Sequence, residues 1–263
     1  MTEYQYLEVE REDAVTTVWL NRPDSLNALS IELMSEIEQV SRGFLNDEQT
    51  RVVVFRGRGR HFSAGADLKQ RGSIERRNVV MQRRDSGLGA RMIRAILEID
   101  QVTIAGLHGA ALGGAACIAT ACDFRVGSDE CFAGYPEINL GMNLMWRSLP
   151  LCVHLIGPAR AKRMIMLGDK EKAETLLEWG FLDQVVSLDG LDAAVRSMAR
   201  DYAGKPPVSV QMIKQSVNAV SSALDAAVMH MDTDQNLLTG TTDDLEEGIS
   251  AFLEKREPEF RGN

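Results

Sequence analysis

The stretch VTIAGLHGAALGGAAC, residues 102–117, decides how this chain is read. Residues 102–107 are continuously apolar, the pattern of a strand covered on both faces. His108 and Gly109 break that run, and residues 110–117 are then almost entirely alanine and glycine, opening a small-residue helix. A strand that delivers such a turn to the start of a helix presents backbone N–H groups where little side-chain bulk intervenes.

The same arrangement stands earlier in the chain. Residues 51–56, RVVVFR, read as a second buried strand, followed by Gly57-Arg58-Gly59 and by HFSAGADL at 61–68, where a helix is expected to start near Asp67. Small residues at such turns ordinarily serve packing, but two turns of this kind can also aim two N–H donors at one oxygen, the geometry of an oxyanion hole for a carbonyl that gains negative charge. Neither turn is G-x-G-x-x-G, and no G-x-S-x-G or P-loop pattern occurs, so dinucleotide and nucleophile-elbow chemistry are not supported.

Outward from these turns, residues 14–20 and 123–127 also read as strands. Ser30 stands as N-cap of an amphipathic helix over 30–45, and Met92, Ile93, Ile96, Leu97 and Ile99 form another helical face. Strands alternating with helices predict an α/β fold. Beyond Pro150 the strand signal nearly vanishes. Helices are predicted at 159–167, 171–179, 191–202, 208–220, 224–238 and 245–255, with one weak β run at 182–187. The expected division is an α/β core over residues 1–200 and a helical extension over 201–263. Residues 70–89 carry five arginines, and glycines break their helical signal. They read either as a solvated, mobile surface segment or as a lid beside an anion's site.

The 263 residues carry 29 Lys and Arg against 38 Asp and Glu, a net charge of −9. Nonspecific nucleic-acid binding needs a basic footprint and is not expected, although a local basic patch can still hold an anionic small molecule. No apolar run is long enough to span a membrane, and the N-terminus has no signal-peptide character. Cys117, Cys122, Cys131 and Cys152 lack paired C-x2-C spacing and read as reduced thiols of a cytoplasmic protein with no metal site. Glu137 lies in FAGYPEINLG, residues 132–141, which is otherwise uncharged. It is either an exposed turn glutamate or a desolvated carboxylate whose pKa rises into an acid–base range.

Taken together, these segments resemble the crotonase, or enoyl-CoA hydratase/isomerase, superfamily. The matching residues are LNRP at 20–23 with LNAL at 26–29, FSAGADL at 62–68, GAALGG at 109–114, Cys122-Asp123, PEINLG at 136–141 and EGISAFLEKR at 247–256. Their order covers essentially the whole chain. The resemblance implies a spiral of β-β-α turns with a C-terminal helical trimerisation region, hence a homotrimer or a dimer of trimers. It implies an acyl-CoA substrate, with coenzyme A entering as part of the substrate and no separate cofactor. The amides of Ala66 and Gly114 would hold the thioester oxygen and Glu137 would move the proton. The substrate would lie along Ala64, Asp67, Leu68 and Lys69, near Arg22, Leu26, Gly113, Cys117 and Trp146.

Three departures from the family pattern stand out. Hydratases of this kind typically carry a second glutamate three residues after the second oxyanion glycine; here that position is Cys117, read as packing. Met142, Met145 and Trp146 follow Gly141 where small residues are usual, and read either as narrowing or reshaping the acyl pocket or as core or subunit contacts. Asp24 replaces a basic residue, leaving Arg22, Lys69, Arg71 and Lys255 as candidates for the coenzyme A phosphates. A hydratase and an isomerase both fit. The alternatives are a non-catalytic acyl-CoA-binding or scaffold protein and an acyl-CoA hydrolase or decarboxylase.

Overall fold

The structure is a computed structural model that describes residues 4–73 and 78–263. Among the described residues nine strands form two sheets: β1 Leu7–Glu12, β2 Val15–Leu20, β3 Val52–Gly57, β4 Val102–Leu107, β5 Ala110–Leu112, β6 Phe124–Ser128, β7 Phe132–Gly134, β8 Glu171–Lys172 and β9 Gln184–Val186. The larger sheet runs β1-β2-β3-β4-β6-β9 and the smaller β5-β7-β8. The hairpin β1–β2 is antiparallel, and from β2 to β9 the large sheet is parallel.

The helices are α1 Ile31–Gly43, α2 Leu68–Ser73, α3 Val79–Leu97, α4 Gly114–Ala121, α5 Ser148–Leu167, α6 Ala173–Trp179 and α7 Leu191–Ala203, then α8 Pro207–Ser221, α9 Asp225–Met229, α10 Asp232–Thr239 and α11 Asp243–Glu254. The chain therefore winds as a spiral in which a strand of the large sheet passes to the small sheet and then to a helix. β4, β5 and α4 make one such turn. β3, the bridge from Ser63 to Ala111 and α2 make another.

The continuous apolar runs in β3 and β4 have their expected cause. Val53, Phe55 and Ala105 face the main core, with Leu33 and Ile37 of α1 and Ile93 and Ile96 of α3. Val52, Val54, Val102 and Ile104 face the opposite side, where Leu191, Val195 and Ala199 of α7 cover them. Both faces of the sheet are closed, so no alternation survives in the sequence. Lys214 of α8 is 2.7 Å from the Asp123 carboxylate, which also accepts from the Thr103 amide and hydroxyl.

Several predicted elements differ. β1, LEVERE, is a charged outer strand; an edge strand needs only one buried flank, and charge there discourages further pairing. The glycine-bearing stretch before residue 90 is helical from Val79 onward, capped by the Asn78 side chain, which accepts from the Met81 amide. Its Gly89 is a packing requirement, since a Cβ there would lie 2.1 Å from Trp146 Cε2. The part of this segment at residues 74–77 lies outside the described residues. Helix α5 begins at Ser148 rather than 159, with a break at Gly157, φ 78°, ahead of Pro158. The predicted helix over 224–238 is two, α9 and α10, and Glu171 belongs to β8, with α6 starting at Ala173.

Candidate active site

The entry loop before α1 is tied to the turn after β3 by a buried asparagine. Asn27 accepts from the Arg22 amide and donates to the carbonyls of Arg58 and His61. From there the main chains interlock. The Ala64 amide donates to Leu26, Leu29 to Gly65, and Asp67 to Leu29. The Ser63 amide donates to Ala110 and the Leu112 amide to Ser63. Gly65, φ 91°, permits this closeness: a Cβ there would sit 2.5 Å from the Leu112 carbonyl oxygen and 3.7 Å from the Gly114 amide nitrogen.

Ala66 and Gly114 are thus brought to one place. Gly114 is the first residue of α4, so its N–H has no partner within the helix. Among the described residues neither the Ala66 nor the Gly114 amide donates to a protein acceptor. Ala66 is exposed at the mouth of a cavity of about 460 Å³.

Glu137 lies in the short 3₁₀ turn Pro136–Leu140. Its carboxylate reaches α4: a Cβ at Gly113, φ 54°, would be 2.9 Å from Glu137 Oε1. Glu137 Oε2 is buried with no hydrogen-bond partner among the described residues. Burial pushes this carboxyl up to about 7, opposed only by a main-chain hydrogen bond. Of the two sequence-based readings of Glu137, the desolvated carboxylate is the one found.

Cys117, one turn into α4, is buried beside it. Burial first, and the Glu137 charge second, hold the thiol well above its ordinary value. Burial pushes Cys122, Cys131 and Cys152 up to about 12. All four thiols are free. Among the described residues no group of three or more metal-binding side chains gathers, and no helix is long and apolar enough to cross a membrane.

The other sequence-predicted positions divide. Arg22 and Asp67 pair with each other, Nη1 to Oδ2 at 3.2 Å, and the Arg22 guanidinium also lies over the Tyr6 ring. Asp67 caps α2 by accepting from the Gln70 amide. Leu26 and Lys69 are exposed and Ala64 and Leu68 half-buried, and none of the four lines the cavity. Lys255 is distant in the chain, an exposed left-handed residue at the end of α11. The side chain of Arg71 lies outside the described residues.

Trp146 lines the cavity, and its ring lies against Gly114, which, like Glu137, is not part of the cavity wall. Trp146 and Arg147 both adopt left-handed φ, 64° and 62°. Such a conformation costs on the order of 1–3 kcal/mol per non-glycine residue. It is held by the Arg147 amide donating to Asp232 of α10 at 2.7 Å. The cavity wall also contains Asn236, Leu237, Gly240 and Thr241, with Leu245 of α11, and Gln82, Asp85 and Ser86 of α3. Sequence reasoning missed these, and no local signal marks them, because α10 meets the site only through tertiary packing. Leu29 and Met34 also line it, beside the LNAL segment.

With this geometry established, likeness to known proteins is informative. The family model for enoyl-CoA hydratase/isomerase matches residues 10–263. A short-chain-enoyl-CoA hydratase of Clostridium acetobutylicum is 30% identical over 253 residues, 95% of each chain. A 1,2-epoxyphenylacetyl-CoA isomerase of Escherichia coli K12 is 28% identical over 256 residues, 95% of this chain and 96% of that one. The crystal structure of an enoyl-CoA hydratase from Mycobacterium avium subsp. paratuberculosis superposes with a TM-score of 0.88 at 26% identity, covering 98% of this chain and all of that one. The chain belongs to the enoyl-CoA hydratase/isomerase, or crotonase, family. It is a crotonase-family enzyme of coenzyme A thioesters.

The raised Glu137 pKa has a consequence for stability. The folded state holds this proton up to about pH 7, whereas a free carboxyl releases it near the ordinary value of 4.5. The folded chain therefore binds more protons between those values, and stability falls as pH rises through that window. Glu137→Gln should melt higher than the native protein at pH 8, with the gap closing as pH falls toward 4.5. Thermal denaturation at the two pH values measures this; a gap that does not depend on pH would show that the carboxyl is solvated.

Proposed function

We propose that the protein shifts a carbon–carbon double bond within the acyl chain of a coenzyme A thioester, with Glu137 as its single acid–base group. The observation that carries this reading is the buried Glu137 Oε2, without a hydrogen-bond partner among the described residues, beside a buried thiol at position 117. The Glu137 carboxylate takes a proton from C2 of a 3-enoyl thioester, and the electron pair moves onto the thioester oxygen. The amides of Ala66 and Gly114 donate to that oxygen as charge develops. Protonated Glu137 then returns the proton to C4, leaving the conjugated 2-enoyl thioester and the carboxylate as it began. A pKa of about 7 suits a group that must both accept and release a proton near neutrality. Removing one donor of such a pair typically costs about 10²–10³ in rate. The chemistry needs no group beyond the substrate's own coenzyme A.

Hydration is the second reading, and the hydratase relative favours it. It needs a water held at C3 and a proton delivered to C2, work that two carboxylates share more readily than one. Cys117, neutral and buried, supplies neither.

We also propose that the active form is a homotrimer or a dimer of trimers. Helix α8 buries none of its residues within the chain and leaves Val208, Met212, Ile213, Val217 and Val220 exposed. An apolar face of that extent ordinarily marks a protein contact.

Three outcomes are expected. Glu137→Gln should lower isomerisation of a 3-enoyl-CoA by at least about 10²-fold, and native kcat should rise with pH as the carboxyl ionises near 7. Full activity in this variant would place the proton carrier elsewhere. The native protein should hydrate crotonyl-CoA poorly, and Cys117→Glu should raise that rate, at a packing cost of about 1–3 kcal/mol. Loss of conjugated thioester absorbance follows the reaction, and vigorous native hydration would put the second reading first. Sedimentation equilibrium should give three or six chains, and a monomer would refute the assembly.

A further inference from the structure

Which acyl groups enter is a question that rests on the acyl-CoA reading above, and one side chain addresses it. The indole of Trp146 is gripped by two glycines on different helices. A Cβ at Gly89 of α3 would lie 2.1 Å from its Cε2, and a Cβ at Gly114 of α4 would lie 2.0 Å from its Cζ3. No other side chain fits at either glycine while the ring is there, so the indole fills the lane between α3 and α4. The main chain holds the ring in place as well, through the Arg147 amide on Asp232 and the Ser148 hydroxyl donating to the Trp146 carbonyl at 3.1 Å. What stays open is the cavity of about 460 Å³ on the other side, walled by Leu29, Met34 and Ala66 and, across from them, Leu237 and Leu245. That volume falls within the ~300–1,000 Å³ of small-molecule sites.

The indole lies against Gly114, so a thioester whose oxygen reached the amides of Ala66 and Gly114 would bring its first acyl carbons close to the ring. A straight chain continuing past Gly114 between α3 and α4 meets the ring. A chain that is short, branched or ring-bearing can turn along the indole face into the open cavity, where a flat or aromatic group gains an additional stacking contact. We propose that Trp146 is the residue that sets acyl specificity, admitting compact acyl groups and excluding long straight chains.

The test uses two saturated thioesters that cannot isomerise, 3-phenylpropanoyl-CoA and dodecanoyl-CoA, and reads binding by calorimetry rather than turnover. The native protein should bind the compact thioester more tightly. Trp146→Ala should open the lane and shift the affinity ratio toward the dodecanoyl thioester by at least ~10-fold, since each newly buried methylene is worth about fourfold. Trp146→Phe should shift it part of the way, and this variant decides the matter alone if the alanine variant does not fold. If the native protein binds both thioesters and the ratio stays unmoved in the folded variants, or both affinities fall equally, the inference is overturned while the acyl-CoA reading stands. If neither thioester binds the native protein, the acyl-CoA reading fails and takes this inference with it.

Discussion

Two strand-to-helix turns are bonded to each other through their main chains, and the site depends on that constraint. The amides of Ser63 and Leu112 donate across the gap in opposite directions, and Leu29 and Ala66 bridge on the far side. Each of these bonds consumes a neighbouring donor, and among the described residues the amides of Ala66 and Gly114 are left without an acceptor. Two side chains reinforce the main-chain bonds: the Asn27 amide donates to the carbonyls of Arg58 and His61, and the Ser63 hydroxyl donates to the Asn27 carbonyl. A larger residue at position 65 or 113 would strike the Leu112 carbonyl or the Glu137 carboxylate, so glycine is demanded at both by contact and by positive φ. The parallel sheet beneath fixes the turns at the ends of β3 and β4, neighbouring strands in register, which is why residues some fifty positions apart in sequence meet.

The same constraint accounts for what the sequence reveals and what it conceals. Strands β3 and β4 are legible because burial on both faces writes itself as unbroken apolar runs. The turn residues are legible because close backbone approach leaves room only for glycine and alanine. Glu137 is half legible: its uncharged neighbours suggest desolvation, but only the fold shows α4 packed over its carboxylate. Helix α3 is concealed by a different logic. Gly87 and Gly89 weaken its local propensity, yet Gly89 exists to receive the indole of Trp146, a partner more than fifty residues away. Tertiary packing overrides helix propensity there. The wall contributed by α10 is not legible at all, since Asn236 and Leu237 acquire their place only when Asp232 and Asp234 dock on Arg147 and Arg83.

The strained pair Trp146 and Arg147 joins these two levels. A left-handed conformation at two successive non-glycine residues persists only where surrounding contacts outweigh its cost. Those contacts come from α10 through Asp232, from the Ser148 hydroxyl, and from the slot between Gly89 and Gly114. The indole is thereby a structural element of the core and a wall of the cavity at once. The shape of the acyl space is thus coupled to the docking of the C-terminal helices.

A thiol rather than a second carboxylate beside Glu137 affects more than the count of acid–base groups. Two carboxyl groups sharing one desolvated site cannot both ionise cheaply, so their titrations belong to the pair, with one proton held more tightly and the other released earlier. With Cys117 kept neutral by burial, Glu137 titrates alone, and its value near 7 is set by desolvation rather than by a charged neighbour. A proton returned to the substrate must be held by the group that removed it for the life of the enolate. A carboxyl raised by desolvation alone does this without a competing acid nearby to exchange with. Under the proposed chemistry, a neutral thiol at position 117 thus favours internal proton transfer over addition of water, and the buried Oε2 of Glu137, with no partner among the described residues, is the atom left to carry it.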